Sequence, residues 1–127
     1  VAQITIELQS KVNQILMKKL DLLKEDEIGN SRMMYAIHNT LAKRCDPYVP
    51  FLEGPLSQTA VVTSESVRYI QPYARYQYYG DDFNHTLEYH PLASARWDEA
   101  MMRDRGDEFV QEVEEIIRER VRQDGSR

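Results

Sequence analysis

The chain opens on an alternation: Ile4-Thr5-Ile6-Glu7-Leu8 puts an apolar residue at every second position, the period of a strand with one face buried. From Ser10, predicted to cap a helix, the period lengthens. Val12, Ile15, Leu16, Leu20 and Leu23 share one face of a helix over 11–23, with Lys11, Lys18, Lys19 and Asp21 off that face. A polar stretch, Lys24-Glu25-Asp26, follows. Met33, Ile37, Leu41 and Cys45 then mark a second helix, which stops where Asp46 meets Pro47. Gly29 and Asn30 leave its start open.

Residues 47–58 hold three of the five prolines, Pro47, Pro50 and Pro55, with Gly54 between the last two, and read as a connector. Thr59-Ala60-Val61-Val62-Thr63 and Ser66-Val67-Arg68-Tyr69-Ile70 are rich in β-branched and aromatic residues and are separated only by Ser64-Glu65. They predict a β-hairpin whose turn lacks Asn-Gly chemistry. Four of the eight tyrosines lie in Pro72-Tyr73-Ala74-Arg75-Tyr76-Gln77-Tyr78-Tyr79-Gly80. Proline suits a first helical turn and glycine a helix end, so one or two turns are predicted here, with a strand as the alternative. Residues 81–93 are polar and irregular, with a strand conceivable at Thr86-Leu87-Glu88-Tyr89. Beyond Ser94 the helical period returns with Trp97, Ala100 and Met101, is interrupted at Arg105-Gly106, and resumes after a predicted cap at Asp107 with Phe109, Val110, Val113, Ile116, Ile117 and Val121. Acidic residues gather early in that last helix and Arg118, Arg120 and Arg122 late, the polarity its dipole favours.

The expected architecture is α+β: a small antiparallel sheet with N-terminal and C-terminal helices packed on it, as one domain over 1–127. A length of 127 residues with 42% hydrophobic and 29% charged residues supports one compact core. Sixteen Lys+Arg against 21 Asp+Glu give a net charge of −5, which argues against a general DNA binder. The longest apolar runs are far short of the roughly 20 residues that cross a bilayer, and the first residues do not read as a leader, so a soluble protein is expected. One cysteine, Cys45, excludes an intrachain disulfide and a multi-cysteine zinc site.

Three groups of residues carry candidate chemistry. Asp81, Asp82, His85, Glu88 and His90 offer five possible ligands within ten residues, yet lack both the i,i+4 histidine pair of a zinc-binding helix and the glycine-containing spacing of a calcium loop. They serve either a small metal-dependent hydrolase or nuclease, or a solvated loop. Cys45 lies on an apolar stripe, where a thiol acts as a small hydrophobe, and His38 is two helical turns from it. The third group, Arg68, Tyr69, Tyr73, Arg75, Tyr76, Tyr78 and Tyr79, interleaves aromatics with arginine. Such a set stacks on nucleic acid bases or fills the centre of a protein interface; the acidic net charge favours the interface, with plain core packing as the bland alternative.

The order of three motifs adds a resemblance. "PYVP…EG.L" in 47–56, "PYAR.Q.YG" in 72–80 and "RWDE" in 96–99, with the hairpin between the first two, resemble the minor capsid protein family of tailed phages of Gram-positive bacteria, itself similar to tail-completion or neck proteins. The likeness spans about residues 4–120. The chain departs from the family pattern after Gly54, where Pro55-Leu56-Ser57 stands in place of a small or polar residue followed by Leu-Arg. The resemblance implies a non-enzymatic virion component without cofactor or metal. It would be assembled in the host cytoplasm as a ring, commonly of six or twelve copies, at the head-tail junction. Its partners would be copies of itself and the portal-side and tail-tube-side virion proteins. DNA would pass its channel without specific binding, and no membrane would be involved; the net charge of −5 alone motivates the further expectation of an acidic lumen that repels DNA. On that reading Tyr48, Pro50, Phe51, Leu52 and Gly54 form a docking loop, and Arg68, Tyr73, Arg75, Tyr76, Tyr78, Tyr79 and Trp97 act as packing and contact anchors. Tyr73 and Trp97 equally suit the monomer core, whereas Tyr76 and Tyr78, with polar neighbours, suit an interface better.

Overall fold

A computed structural model describes residues 4–19, 27–49, 60–70, 74–80 and 95–125. In chain order these form β1 (Ile4–Ile6), α1 (Ser10–Lys19), α2 (Glu27–Cys45), a 3-10 turn (Asp46–Tyr48), β2 (Ala60–Val62), β3 (Val67–Tyr69), α3 (Ala74–Tyr79) and α4 (Trp97–Gly125). The fold is α+β, as the periodicities predicted.

The sheet has the order β1-β3-β2 with both pairings antiparallel, so the hairpin contributes the central strand and its turn-side neighbour, and the N-terminal strand closes the other edge. Ile4 pairs with Tyr69 and Ile6 with Val67, while Ala60 and Val62 face the same two residues from β2. Residues directly opposite one another share a face, and that face is the buried one: Ile4, Ile6, Val67 and Tyr69 are all enclosed. Thr5 is exposed and Arg68 half-buried on the other face. The two-residue turn needs no glycine, because the Thr63 hydroxyl accepts hydrogen bonds from the Glu65 and Ser66 amides, both at 3.1 Å. A side-chain turn of this kind does locally what Asn-Gly geometry does elsewhere.

The helices lie over the buried face. α2 and α4 make the most extensive helix pair, bringing Met33, Ile37, Leu41 and Cys45 together with Met101, Phe109, Val113 and Ile117 in one core to which Val12 and Leu16 of α1 are added. Arg44, in the last turn of α2, fastens the outside of this pair by reaching Glu108 at 2.8 Å and Glu112, both on α4. These exposed pairs fix the approach of the helices more than they add stability, since each is worth at most about 1 kcal/mol.

Two helix starts differ from expectation. Asn13 donates its amide to the Gln9 carbonyl at 3.0 Å, so Gln9 rather than Ser10 closes the first turn of α1 and Ser10 is already helical. The predicted break before the last helix falls at Arg105 (φ −133°, ψ 18°), a single non-helical residue inside an otherwise continuous α4. Asp107 therefore lies within the turn that follows the kink instead of capping a separate helix. Leu20 and Leu23 of the first predicted helix and the conceivable strand at 86–89 lie outside the described residues.

Candidate interaction surfaces

The "PYAR.Q.YG" and "RWDE" motifs, sixteen or more residues apart in the chain, meet in space. α3 is a short helix ended by Gly80, and its last residues Tyr78 and Tyr79 point about 100° apart, as adjacent helical positions do. Tyr78 is turned inward. Its ring stands edge-on to Trp97 at 4.9 Å, and Trp97 stands edge-on to Tyr69 at 5.1 Å, so three large aromatics from α3, α4 and β3 lock together. The Tyr78 hydroxyl donates to Asp98 Oδ1 at 2.5 Å, and Gln9 Nε2 donates to Asp98 Oδ2 at 3.3 Å. Asp98 is buried in the first turn of α4, where the helix dipole favours a negative charge. Burial first, and then the bond to Asp98, holds the Tyr78 hydroxyl well above the ordinary phenol range. Burial does the same for Tyr69, helped by the nearby Cys45 and Asp46.

Tyr79 points outward and is 48% exposed. Two guanidinium groups flank its ring, Arg75 at 5.5 Å and Arg96 at 5.2 Å from the centroid, the distance of cation–π contacts. Arg96 reaches this place because its backbone takes φ 47°, with its amide donating to the Tyr78 carbonyl at 2.8 Å and its carbonyl accepting from Ala100 at 3.0 Å to start α4. The result is a basic, aromatic knuckle mounted on the aromatic core, with Ile70, 52% exposed, at the same end of the sheet.

The expected contact residues thus divide. Tyr48, expected in a docking loop, is 3% exposed because the 3-10 turn after α2 folds it against α4; burial and the Asp104 carboxylate raise its hydroxyl pKa. Tyr78 and Trp97 are likewise inside the subunit. Tyr78, expected at an interface because its sequence neighbours are polar, packs against Trp97, while Tyr79 beside it is exposed. Arg75 and Tyr79 are on the surface, Arg68 is half-buried on the open sheet face, and Pro50, Phe51, Leu52, Gly54, Tyr73 and the side chain of Tyr76 lie outside the described residues. Sequence reasoning assigned no role to Asp98, Gln9 or Arg96; the signal for Asp98 is an acidic residue directly after a core tryptophan at a helix start.

Cys45 is 1% exposed, and burial, then Asp98 and Asp46, push its thiol far above the ordinary range. It is a packing residue and stays protonated. Among the described residues no three of His, Cys, Asp and Glu come together to hold a metal; the Asp81 to His90 cluster lies outside them. No described helix is long and apolar enough to cross a membrane.

Two depressions lie among the described residues. One, of about 460 Å³, lies between the first half of α2 and the last turns of α4, lined by Gly29, Met33, Ala36, Ile116 and Glu119 among others. The other, of about 330 Å³, opens at the turn end of the sheet and is lined by Glu7, Asn13, Met34, His38, Ser64 and Glu65.

Comparison with curated proteins and with solved structures returns no match. The profile of one family does match, over residues 4–116, a span that takes in all three strands, the aromatic lock and the knuckle. The chain belongs to the minor capsid protein family, structural components of the phage virion.

Proposed function

We propose that this minor capsid protein forms a ring in the neck of a tailed phage, joining the portal-bearing head to the tail around the channel through which DNA leaves. The family membership over 4–116 carries the virion role. The order of the "PYVP…EG.L", "PYAR.Q.YG" and "RWDE" motifs, which resembles the neck proteins, supports the position. The reading is supported by an exposed cluster on the described surface, Arg75, Tyr79 and Arg96, mounted beside Tyr78, which the buried Asp98 braces. Ring stoichiometries of six or twelve copies, portal-side and tail-tube-side neighbours, and unhindered passage of DNA past an acidic wall belong to the same proposal.

Averaged electron microscopy of the particle, with an antibody or a fused density marker on this chain, tests it. The label is expected at the head-tail junction with rotational symmetry. Label spread over the capsid shell, or on the tail tube alone, would overturn the neck assignment while leaving the virion role intact.

A further inference from the structure

We propose that copies of this chain dock head to tail, the Arg75–Tyr79–Arg96 knuckle of one subunit against the cavity walled by His38 in the next. The proposal rests on the ring reading above and names the two surfaces through which such a ring closes.

Among the described residues the cavity lacks a cation. Glu7 and Glu65 are exposed carboxylates on its rim, and none of the described residues that line it is a lysine or arginine. Asn13 turns its amide nitrogen to the Leu8 carbonyl at 3.4 Å, which leaves its oxygen as an acceptor. His38 is 2% exposed, with Nδ1 2.9 Å from the Met34 carbonyl. A carbonyl only accepts, so Nδ1 carries the proton of that bond and Nε2, across the ring, is a bare acceptor. Nε2 is buried and, among the described residues, has no hydrogen-bond partner, a state that costs free energy until a donor arrives. Two carboxylates, an amide oxygen and an orphaned imidazole nitrogen call for one kind of visitor: a cationic side chain with several N–H donors. Arginine, planar and with five donors, fits that description best.

The knuckle has the opposite deficit. Arg75 and Arg96 both lie within 5.5 Å of one tyrosine ring, and among the described residues neither contacts a carboxylate. Two like charges beside one aromatic ring repel each other and are stabilised by an anion brought from outside. Tyr79 supplies the large, rigid, half-exposed ring that interface centres favour.

Their placement decides the mode of association. Glu7 follows Ile6, whose partner is Val67 at the start of β3, and Glu65 sits in the turn before it; both belong to the turn end of the sheet. Tyr69, at the other end of β3, abuts Trp97, which abuts Tyr78 beside the knuckle. Strand β3 therefore runs from the acidic cavity to the basic knuckle. A two-fold dimer built on either patch would set like charge against like, whereas a head-to-tail contact satisfies both, and repeated with a closing rotation it makes a ring.

Sedimentation velocity on the purified full chain tests this, with paired charge reversals. The wild-type chain is expected to self-associate in a concentration-dependent way and less so as salt rises, because rim charges are screened. E7R/E65R and R75E/R96E are each expected to weaken association at least ~10-fold, the factor that corresponds to losing one good charge contact. An equimolar mixture of the two should recover it, since each then offers the patch that the other lacks. Recovery on mixing also shows that both variants are folded. A wild-type chain that stays monomeric at every concentration, or association that survives both reversals, overturns the interface. In the second case the ring itself stands and only its contact surface is wrong; in the first, particle microscopy decides the ring independently.

Discussion

Tyr78 and Tyr79 are neighbours in sequence with opposite duties, and removing one oxygen from each separates them. In Tyr78→Phe the ring keeps its edge-on contact with Trp97, and only the hydroxyl that donates to Asp98 is lost. A hydrogen bond to a buried charged group contributes about 1.5–3 kcal/mol. Gln9 and the first turn of α4 still serve the carboxylate, so the cost falls near the middle, about 2 kcal/mol. For a domain of this size that lowers Tm by roughly 8 °C. Tyr79→Phe removes a hydroxyl from a half-exposed ring and shifts stability by less than about 0.5 kcal/mol, leaving both cation–π contacts in place. Thermal unfolding followed by circular dichroism reads both variants in one experiment. Equal midpoints, or a larger loss at Tyr79, would refute the claim that Asp98 and Tyr78 form a buried brace.

The remaining predictions concern the backbone and pH. A Cβ added at Gly106 meets only the flexible Met102 side chain, at 3.4 Å, so Gly106→Ala should stabilise by about 0.5–1 kcal/mol through lower unfolded-state entropy, measured as a shifted urea midpoint; destabilisation would mean that the kink needs glycine. Arg96→Gly relieves the left-handed backbone at φ 47°, worth about 1 kcal/mol or more, and gives up an exposed cation–π contact of about 0.5–1 kcal/mol; stability should hold while self-association weakens. Tyr69, Tyr78, Tyr48 and Cys45 all have raised pKa values in the fold. The native state thus keeps protons that the unfolded chain releases above about pH 9–10, so stability is flat below that range and falls above it, by roughly 1.4 kcal/mol per pH unit for each fully buried group. Urea titrations from pH 7 to 11 check the sign, and a stability that rises toward pH 11 would contradict it.

The fold was legible where one face of an element carries apolar residues at a fixed period. Ile4 and Ile6, the Met33-Ile37-Leu41-Cys45 stripe and the Phe109-Val113-Ile117 stripe are all buried as read, because periodicity reports burial directly. Helix starts were less legible: Gln9 takes the place given to Ser10 because the hydrogen-bond register, not residue preference, decides where a helix begins. The site was half legible. Composition shows that tyrosine and arginine are concentrated between 68 and 79, but not which ring points where. Two adjacent positions on a six-residue helix differ by about 100°, and without a long apolar period nothing in the sequence says which of Tyr78 and Tyr79 meets Trp97.

The "RWDE" motif concentrates this division into consecutive residues. Trp97 goes to the core between two tyrosines, Asp98 ties α3 and the start of α1 to the first turn of α4, and Arg96 leaves the core to sit on the knuckle. Arg96 holds a backbone conformation in which glycine would be free of strain, and its side chain contacts a surface tyrosine instead of filling a core space. A strained arginine at that point is poorly explained by folding alone, since the core residue beside it, Trp97, needs only the turn and not the guanidinium. It is well explained by a contact surface, where a fixed cation on a rigid aromatic base loses little freedom when a partner arrives. The buried brace and the exposed knuckle are then one device: Asp98 and Trp97 fix the turn, and the turn aims Arg96.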